Sequence, residues 1–354
     1  MKALILSGGK GTRLRPITHT GAKQLVPVAN KPILFYGLEA IKEAGITQVG
    51  IVVGDTAAEV EKAVGDGSRF GLTVEYIHQE APLGLAHAVK ISRRYLRDEP
   101  FVMYLGDNLL SGGIKNLVEE FDKGECDSQI LLAKVKNPND FGVAELDGER
   151  VARLEEKPKN PKSDYALVGV YMFTPTIFEA TEKIKPSFRG ELEITDAIQY
   201  LIDNGYVVNS HIVEGWWKDT GKLEDMLDAN RMILTGMTTR VESKQLEDSE
   251  IHGHVQLDEN VTVKKSVLRG PCIIGAGAEI VDSYVGPFTS VGPQTRILRS
   301  EIENSIVLEN CSITDIRSRI GGSLIGKNVK ITSCDKPPRN YGFMVGDNSE
   351  IIVL

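Results

Sequence analysis

The last third of the chain repeats aliphatic residues at intervals of six. Counting in sixes from Val255 to Ile297 meets an aliphatic residue at every position except Glu279, and glycine or another small residue often follows. No helix has a period of six residues, whereas a triangular coil with one aliphatic residue on each side does. The repeat therefore predicts a parallel β-helix of hexapeptide repeats. The alternative is an antiparallel sandwich in which the spacing arises by chance.

The first third of the chain alternates strand-like and helix-like runs. A strand–helix alternation predicts a parallel sheet covered by helices on both faces, so we expect an α/β fold with a Rossmann-like, mostly parallel sheet. Ligands of such sheets bind beyond the carboxyl ends of the strands, where residues 7–9 and 106–107 are expected to meet. Strands are predicted at residues 3–7, 48–53, 73–78 and 101–105, and helices at residues 32–44, 55–64 and 85–97.

The length of the chain favours two domains, because 354 residues is long for a single hydrophobic core. Residues 127–212 mix short strands and helices and are expected to complete the first domain. A helix predicted over 225–235 ends at Gly236. We therefore expect one domain over residues 1–240 and the β-helix over residues 241–354.

Composition excludes several classes of partner. The formal net charge of -8 argues against nucleic acid, whose phosphates require a basic face. The sequence has no apolar run of membrane-spanning length and no recognisable signal peptide. The four cysteines are far apart, which disfavours a disulfide framework or a zinc site. We expect a cytoplasmic protein that binds neither nucleic acid nor membrane.

A glycine-rich segment with three basic side chains, SGGKGTRLRP, begins at Ser7 directly after the first predicted strand. A Walker A loop requires a lysine after its last glycine, but Gly11 is followed by threonine. A dinucleotide-binding fingerprint requires a third glycine that is missing here. Glycine amides and the planar guanidinium of Arg13 nevertheless suit phosphate oxygens, and Lys23 follows nearby. The segment indicates a polyphosphate ligand, and the alternative is a flexible, solvated turn.

Seven motifs in order resemble those of the sugar-1-phosphate nucleotidylyltransferases. Together the motifs span essentially the whole N-terminal domain, and the appended coil is similar to the left-handed β-helix of hexapeptide-repeat proteins. The motifs are GGKGTRLRPITHTGAKQLVPVANKPILFY from Gly8, QEAPLGLA from Gln79, LGDN from Leu105, FGV from Phe141, EEKP from Glu155, GELEITD from Gly190 and WKDTG from Trp217.

The resemblance implies an enzyme that transfers a nucleotidyl group to a sugar 1-phosphate. The Lys23–Gln24 pair and the RGELEITD segment are most similar to members that use dTTP and glucose 1-phosphate. Such an enzyme makes dTDP-glucose and pyrophosphate by Mg²⁺-assisted, in-line attack on the α-phosphorus. The sugar phosphate is already an anion, so the reaction needs cations and positioning more than a strong base.

The resemblance also implies roles for five charged residues. Arg13 would hold the β- and γ-phosphates, Lys23 would lie near the α-phosphate, and Lys157 would hold the phosphate of the sugar. Asp107 and Asp219 would be the Mg²⁺ carboxylates, in agreement with the preference of this ion for hard oxygen ligands.

Further residues of the matching motifs are implied to contact the two substrates. The Gln79 amide carries both a donor and an acceptor and can pair both ways with a pyrimidine imide, while Gly84 would leave room for the base. Lys10 and Arg15 are additional candidates. The implied nucleotide-binding set is Gly8, Gly9, Gly11, Thr12, Arg13, Gln24, Gln79, Gly84 and Asp107, and the implied sugar-phosphate set is Gly142, Glu156, Lys157 and Val168.

Two departures from the family pattern and three alternative functions remain open. Phe141 stands where many members have tyrosine, and His87 stands where many have glutamine. The alternatives are the use of UTP or another hexose phosphate, a second acetyltransferase activity in the coil, and a non-catalytic sugar-nucleotide-binding regulator. The coil offers only His252 and His254 as bases, both at its start, so we favour a role in forming a homo-oligomer.

Overall fold

The computed structural model describes residues 1–9, 11–19, 21–148, 150–242, 245–333 and 342–352. The chain divides into two compact units. We call the first the sheet unit and the second the coil unit. The sheet unit comprises Met1–Lys10, Gly21–Leu25 and Ile33–Asp219, and the coil unit comprises Gly11–Thr20, Val26–Pro32 and Thr220–Leu354.

The sheet unit is built on a nine-stranded mixed sheet. Its first four strands are all parallel, as the alternating pattern predicts, and the strands beyond Phe101–Leu105 pair mostly antiparallel. The strands lie in the order Thr73–His78, Gln48–Val53, Lys2–Leu6, Phe101–Leu105, Tyr165–Phe173, Ser128–Lys134, Val208–Ile212, Arg150–Glu156 and Gly142–Asp147.

Both faces of the sheet are covered by apolar side chains. Along Lys2–Leu6, Leu4 and Leu6 join one hydrophobic cluster, while Ala3 and Ile5 join the other. This division follows from the alternation of side chains along a strand and explains the continuous aliphatic run. The α-helices of the sheet unit are Ile33–Glu43, Ala57–Val64, Leu85–Ile91, Arg93–Leu96, Lys115–Phe121, Ile177–Lys183 and Ile194–Asp203.

One predicted helix is divided in the structure. Residues 85–97 form two short helices, Leu85–Ile91 and Arg93–Leu96, with Ser92 between them. The Ser92 hydroxyl is buried and donates to the Ala88 carbonyl at 2.7 Å, a bond that commonly bends helices. In the described part of the chain, no helix has the length and apolar character needed to cross a membrane.

The coil unit contains a parallel β-helix with three sheets, preceded by the helix Leu223–Thr235. Every pair of neighbouring strands in these sheets is parallel, consistent with a left-handed β-helix. The sheets contain, first, Arg240–Val241, Val255–Leu257, Cys272–Ile274, Thr289–Val291, Ile306–Val307 and Leu324–Ile325; second, Gln245–Glu247, Thr262–Lys264, Glu279–Val281, Arg296–Leu298, Ser312–Thr314 and Lys330–Thr332; third, Glu250–His252, Val267–Arg269, Tyr284–Val285, Glu301–Glu303 and Ile320–Gly321.

The repeat of the first turns of the coil is 17 residues, because Val255 pairs with Cys272 and Cys272 pairs with Thr289. In later turns the spacing is 16 residues, from Ser290 to Ile306, and then 18, from Ile306 to Leu324. A strict period of six is therefore wrong within the coil. Glu279 points away from the interior and pairs with Arg296 of the next turn at 2.7 Å. The side chains that fill the interior follow two steps of six and one of five: Leu257, Val263, Leu268, Ile274, Ile280 and Val285.

Serines at equivalent positions of successive turns are stacked along the coil. The Ser283 amide donates to the Ser266 hydroxyl at 3.1 Å, and the Ser300 amide donates to the Ser283 hydroxyl at 3.2 Å. The residue before each of these serines has a φ of 47° to 49°, in the left-handed region that turns the chain sharply. Each corner therefore satisfies a backbone donor of the next turn.

The segment Val26–Pro32 is bonded to the β-helix within the coil unit. Asn30 Nδ2 donates to the Val291 carbonyl at 2.8 Å, and the Ala29 amide donates to Asn230 Oδ1 at 2.9 Å. Asn230 is fully buried and also donates to the Phe288 carbonyl at 2.9 Å. This segment directly follows Lys23–Leu25 in the chain, so the coil fixes the backbone that leads away from Lys23.

Candidate active site

Two polar segments leave the sheet at the carboxyl ends of adjacent strands. Lys2–Leu6 continues into Ser7, Gly8 and Gly9, and Phe101–Leu105, which pairs with it in parallel, continues into Gly106 and Asp107. The Gly106 amide donates to the Leu6 carbonyl at 2.9 Å, so the two segments leave the sheet side by side. The predicted meeting of these segments at one edge of the sheet is confirmed.

Lys23 and Asp107 form an ion pair at this edge. Lys23 Nζ lies 2.5 Å from Asp107 Oδ2, and the Lys23 residue is only 7% exposed. Burial alone would raise the pKa of Asp107, but the Lys23 charge and hydrogen bonds from Lys23 and Asn108 hold that pKa below its usual value. The carboxylate is therefore ionised at neutral pH and compensates an otherwise costly buried cation.

Asp219 lies on a strand that pairs with the residues after Asp107. Trp217–Asp219 runs antiparallel to Asn108–Leu110, with Asp219 opposite Asn108. Asp219 therefore lies opposite the residue that follows Asp107, although the two candidate metal ligands are far apart in the sequence. No group of three or more His, Cys, Asp or Glu side chains that could hold a metal occurs among the described residues. A pair of carboxylates still fits Mg²⁺, which keeps several waters and accepts substrate phosphate oxygens.

Asn108 and Trp217 hold the Asp107 carboxylate from behind, a role that the sequence did not reveal. Asn108 Nδ2 donates to Asp107 Oδ1 at 2.9 Å, while Trp217 Nε1 donates to Asn108 Oδ1 at 2.6 Å. Gly169 leaves the space for this amide, since a Cβ there would lie 2.7 Å from Asn108 Cγ. Both Asn108 and Trp217 lie in motifs quoted for the resemblance, LGDN and WKDTG, which was the available signal.

A recess near the glycine segment contains the predicted base-reading residue. Gln79 Nε2 lies 3.2 Å from the Gly84 carbonyl and 3.0 Å from His87 Nδ1. Among the described polar atoms, the Ser7 hydroxyl and Gln24 Oε1 are buried without a hydrogen-bond partner. Buried atoms of this kind normally have a partner, and a bound ligand would supply one. The recess is lined by Gly8, Gly54, Asp55, Gln79, Ala81 and Pro82.

The predicted reason for glycine at position 84 is corrected by the structure. Gly84 has a φ of 102°, and a Cβ built there would lie 2.3 Å from the Leu192 carbonyl oxygen. The Leu192 amide donates to the Leu83 carbonyl at 2.8 Å, and the Ala86 amide donates to the Leu192 carbonyl at 3.0 Å. The space beside Gly84 therefore accommodates the Leu192 backbone rather than a base.

A second group of charges surrounds Glu156 at the end of its strand. Glu156 Oε2 accepts a hydrogen bond from the Thr195 hydroxyl at 3.2 Å, and Arg189 NH1 lies 3.5 Å from Glu156 Oε1. Burial and the neighbouring Glu193 raise the pKa of Glu156 above its ordinary value. Gly142 permits this close packing, since a Cβ there would lie 2.6 Å from Thr195 Cγ2 and 3.2 Å from Glu156 Oε2.

The residues that partner Glu156 were not assigned roles from the sequence. Arg189, Glu193 and Thr195 all fall within the RGELEITD segment, which carried the resemblance without a physical interpretation. Arg189 NH1 also lies 3.5 Å from Glu193 Oε1, and the Ser187 hydroxyl donates to the same oxygen at 2.8 Å. The Arg189 guanidinium therefore lies near three carboxylates, those of Glu156, Glu191 and Glu193.

Lys157 is exposed and makes no ion pair with any residue in the described ranges. Its neighbours in sequence are engaged elsewhere, because Glu155 pairs with Arg153 at 3.3 Å and Glu156 pairs with Arg189. The Lys157 amide donates to the Phe141 carbonyl at 3.0 Å, which fixes the backbone at a φ of 44°. The Lys157 ammonium is thus available to an anion.

The structure also describes Val168, a predicted sugar-phosphate residue, and Phe141, which stands where many family members have tyrosine. The Val168 side chain is fully buried in a hydrophobic cluster of the sheet, so only the backbone of Val168 could contact a sugar phosphate. Phe141 packs its ring edge-on against Trp217, with centroids 5.4 Å apart. The Phe141 ring therefore supports the tryptophan that holds Asn108.

Gly11, Thr12 and Arg13 belong to the coil unit. A short 3-10 turn over Thr12–Leu14 exposes Arg13 and buries Leu14, and the Thr18 hydroxyl donates to the Gly11 carbonyl at 2.6 Å. Arg15 is exposed beside this turn. Lys10 lies outside the described residues.

Among the predicted site residues of the sheet unit, three groups are brought together. The first group contains Lys23, Asp107 and Asp219. The second group contains Gly8, Gly9, Gln24 and Gln79, and a Cβ on Gly9 would lie 3.6 Å from Gln24 Nε2. Gly142, Glu156 and Lys157 form the third.

Comparison with known proteins identifies the family of the chain. The family described as "Nucleotidyl transferase" matches residues 2–236. A glucose-1-phosphate thymidylyltransferase of Streptomyces antibioticus is 58% identical over 99% of both chains, and one of Streptomyces griseus is 55% identical over 99% of this chain and 98% of its own. A crystal structure described as a glucose-1-phosphate thymidylyltransferase of Bacillus anthracis covers 66% of this chain and 94% of its own, with 36% identity and a TM-score of 0.62. With its sheet, paired charges and motifs all in place, the chain belongs to the nucleotidyl transferase family.

Proposed function

We propose that this protein is a glucose-1-phosphate thymidylyltransferase. It would transfer the deoxythymidylyl group of dTTP to glucose 1-phosphate, giving dTDP-glucose and pyrophosphate. The observation that carries the proposal is the buried Lys23–Asp107 pair at the carboxyl edge of the sheet, beside Gly8 and Gly9. The names of the two Streptomyces relatives, which match over nearly the whole chain, support the choice of substrates.

The reaction requires two polyanions to meet in line, and the proposed roles divide their charges. Lys23 stabilises charge that develops at the α-phosphate, while Arg13 holds the β- and γ-phosphates until pyrophosphate leaves. Lys157 holds the phosphate of the sugar and orients its attacking oxygen. Fixed cations of this kind are worth more in a partly buried site than in water, because they need no reorganisation during the reaction.

Asp107 and Asp219 would hold Mg²⁺, which neutralises phosphate charge when bound. The carboxylate oxygens of both residues are hard ligands of the kind that Mg²⁺ prefers. The antiparallel pairing places Asp219 opposite Asn108, the residue after Asp107. Lys23 already occupies one oxygen of Asp107 and Asn108 the other. The carboxylate is therefore kept ionised and oriented, as a metal ligand must be.

The sugar would bind against Glu156 and Gly142. Within the described ranges, the Glu156 carboxylate accepts from Thr195 and pairs with Arg189, which leaves acceptor capacity for sugar hydroxyls. Gly8, Gly9, Gly11, Thr12, Gln24 and Gln79 would contact the nucleotide, and Gly84 would contribute only backbone atoms to its binding.

At the level of the whole chain, we propose a catalytic domain over residues 1–240 and a β-helix domain over residues 241–354. The protein would act in the cytoplasm as a homo-oligomer on small molecules, without nucleic acid or membrane partners. The two histidines at the start of the coil have other partners: His252 lies 3.0 Å from Glu250, and His254 Nδ1 lies 3.3 Å from the Thr239 hydroxyl. These contacts disfavour a second, acetyl-transferring site built on them.

Pyrophosphate release tests the proposed function. The purified protein is incubated with glucose 1-phosphate, Mg²⁺ and each nucleoside triphosphate separately. We expect dTTP to give the fastest release. Equal or faster release with UTP would reassign the nucleotide, and no release with any triphosphate would leave the non-catalytic regulator as the better account.

A further inference from the structure

We propose that His87 turns Gln79 into an acceptor-only reader of the base, so that the site selects pyrimidines that carry a proton on N3 and rejects cytosine. Thymine and uracil have this proton, whereas N3 of cytosine has a lone pair. The inference deepens the proposed function and rests on it, since Gln79 must face the base of the nucleotide.

The orientation of the Gln79 amide follows from its two neighbours. A primary amide offers two hydrogens on nitrogen and two lone pairs on oxygen. The Gly84 carbonyl can only accept, and it lies 3.2 Å from one end of the amide, which must therefore be the nitrogen. The same nitrogen lies 3.0 Å from His87 Nδ1, so that ring atom accepts the second hydrogen.

The tautomer of His87 is fixed by this contact. Nδ1 accepts only when the imidazole is neutral and carries its proton on Nε2. Partial burial, with a smaller effect from the neighbouring Lys90, lowers the pKa of His87 and favours this neutral form. His87 lies in the first turn of the helix Leu85–Ile91, whose start is held by the hydrogen bonds of Leu192 with Leu83 and Ala86.

With both amide hydrogens engaged, only Gln79 Oε1 remains for a ligand. This oxygen lies 3.5 Å from the position that a Cβ on Gly8 would occupy, in the recess lined also by Gly54, Asp55 and Pro82. An oxygen there accepts from the N3 proton of thymine or uracil and repels the N3 lone pair of cytosine. The sequence predicted that the Gln79 amide both donates to and accepts from the imide of the base. Under this inference, Gln79 only accepts, through Oε1.

The test compares His87→Leu with His87→Gln, using dTTP, UTP and dCTP in the pyrophosphate assay. Leucine cannot accept the hydrogen bond, so the Gln79 amide becomes free to turn. We expect KM for dTTP to rise about tenfold with kcat little changed, and the preference for dTTP over dCTP to fall about tenfold. His87→Gln, whose amide oxygen can accept the same hydrogen, should keep most of both values.

Three results would overturn the inference. Unchanged discrimination in His87→Leu shows that His87 does not orient Gln79, while wild-type use of dTTP leaves the proposed function intact. If His87→Leu and His87→Gln lose dTTP affinity and dTTP preference equally, the shape of the imidazole ring, and not its hydrogen bond to Gln79, explains the effect. A wild-type protein that prefers a purine triphosphate overturns the proposed function and this inference together. Equilibrium binding of dTTP and dCTP to His87→Ala repeats the test if the leucine variant does not fold.

Discussion

At the scale of single residues, Asp107 neutralises the buried Lys23 and is also a proposed Mg²⁺ ligand. Its two oxygens are bonded to Lys23 and Asn108, so replacing the carboxylate removes a charge without removing the hydrogen-bonding shape. We expect Asp107→Asn to lower kcat at least about 100-fold while the protein stays folded. Pyrophosphate release and circular dichroism measure the two properties. Asp122→Asn, at an exposed position after a helix, is the control and should keep normal activity.

Glu156 illustrates a conflict between stability and binding at one residue. Its pKa is raised by burial and by the charge of Glu193, because both disfavour the ionised carboxylate in the folded protein. The folded state therefore loses stability as the pH rises from the ordinary value of 4.5 through the raised pKa, and the penalty is complete above that pKa. We expect Glu156→Gln to raise Tm at pH 7 by about 1–3 °C and to show no gain below pH 4.5.

The same Glu156→Gln variant should bind glucose 1-phosphate more weakly, because an amide is a poorer acceptor than a carboxylate. A KM that rises several-fold at pH 7 agrees with a sugar contact. Glu155→Gln, one residue away and exposed, is the matched control and should change neither Tm nor KM appreciably. A Tm gain at all pH values would contradict the assignment of the penalty to an ionised carboxylate.

Single residues also mark what the sequence could and could not predict. Lys23, Asp107 and Asp219 were assigned their roles through the family motifs in which they lie, and for Asp107 the position directly after a predicted strand agreed with that assignment. The partners of Glu156 were not found, because Arg189 and Thr195 reach it from a distant part of the chain. The partners of Gln79 are only five and eight residues away, but their contacts depend on the turn of the backbone before the helix Leu85–Ile91. The burial of the Val168 side chain was not predicted, because the sequence does not say which face of a strand a side chain occupies.

At the scale of elements, Gly84 connects the helix Leu85–Ile91 to the segment around Leu192. We expect Gly84→Ala to destabilise the protein by about 2–4 kcal/mol, since the new Cβ would clash with a backbone carbonyl at an unfavourable φ. Gly112→Ala separates the two effects, because Gly112 also has a positive φ, of 81°, but open space around it. Urea denaturation measures both. Equal losses in the two variants would show that strain alone, without the clash, explains the effect.

Elements differed in how far their sequences revealed them. The four parallel strands were predicted closely. Three of them are buried on both faces and read as continuous aliphatic runs, while the edge strand Thr73–His78 shows alternating burial instead. Arg150–Glu156 was missed because its polar residues and a bulge between Val151 and Arg153 break the alternation. The coil was recognised from its period of six, but its 17-residue turn was not, because several positions beside the interior are also aliphatic.

At the scale of the whole molecule, Asn230 bonds the coil to the segment that follows Lys23. Its side chain accepts from the Ala29 amide and the Ser290 hydroxyl and donates to the Phe288 carbonyl, all within a buried site. We expect Asn230→Ala to cost about 1–3 kcal/mol, because buried polar groups lose their partners. Thermal unfolding measures the loss, and Asn116→Ala, on an exposed helix face, should be close to neutral.

Turnover gives a second measure of the same contact. If the coil fixes the backbone after Lys23, kcat of Asn230→Ala should fall more than the loss of folded protein explains, at temperatures well below unfolding. A variant with lower stability but unchanged kcat would restrict Asn230 to a structural role.

The β-helix meets the N-terminal segments of its own unit at two separate turns. Asn30 donates to the Val291 carbonyl, and Ile17 Cδ1 lies 3.5 Å from the position that a Cβ on Gly326 would occupy. Val291 and Gly326 are separated by two turns of the coil, and each turn rises by about 4.8 Å. The length of the coil between these turns therefore sets the distance between its contact with Ile17, which follows the Arg13 turn, and its bond to the segment after Lys23. Whole repeats could be added beyond this interval, but one inserted within it would move the attachments apart.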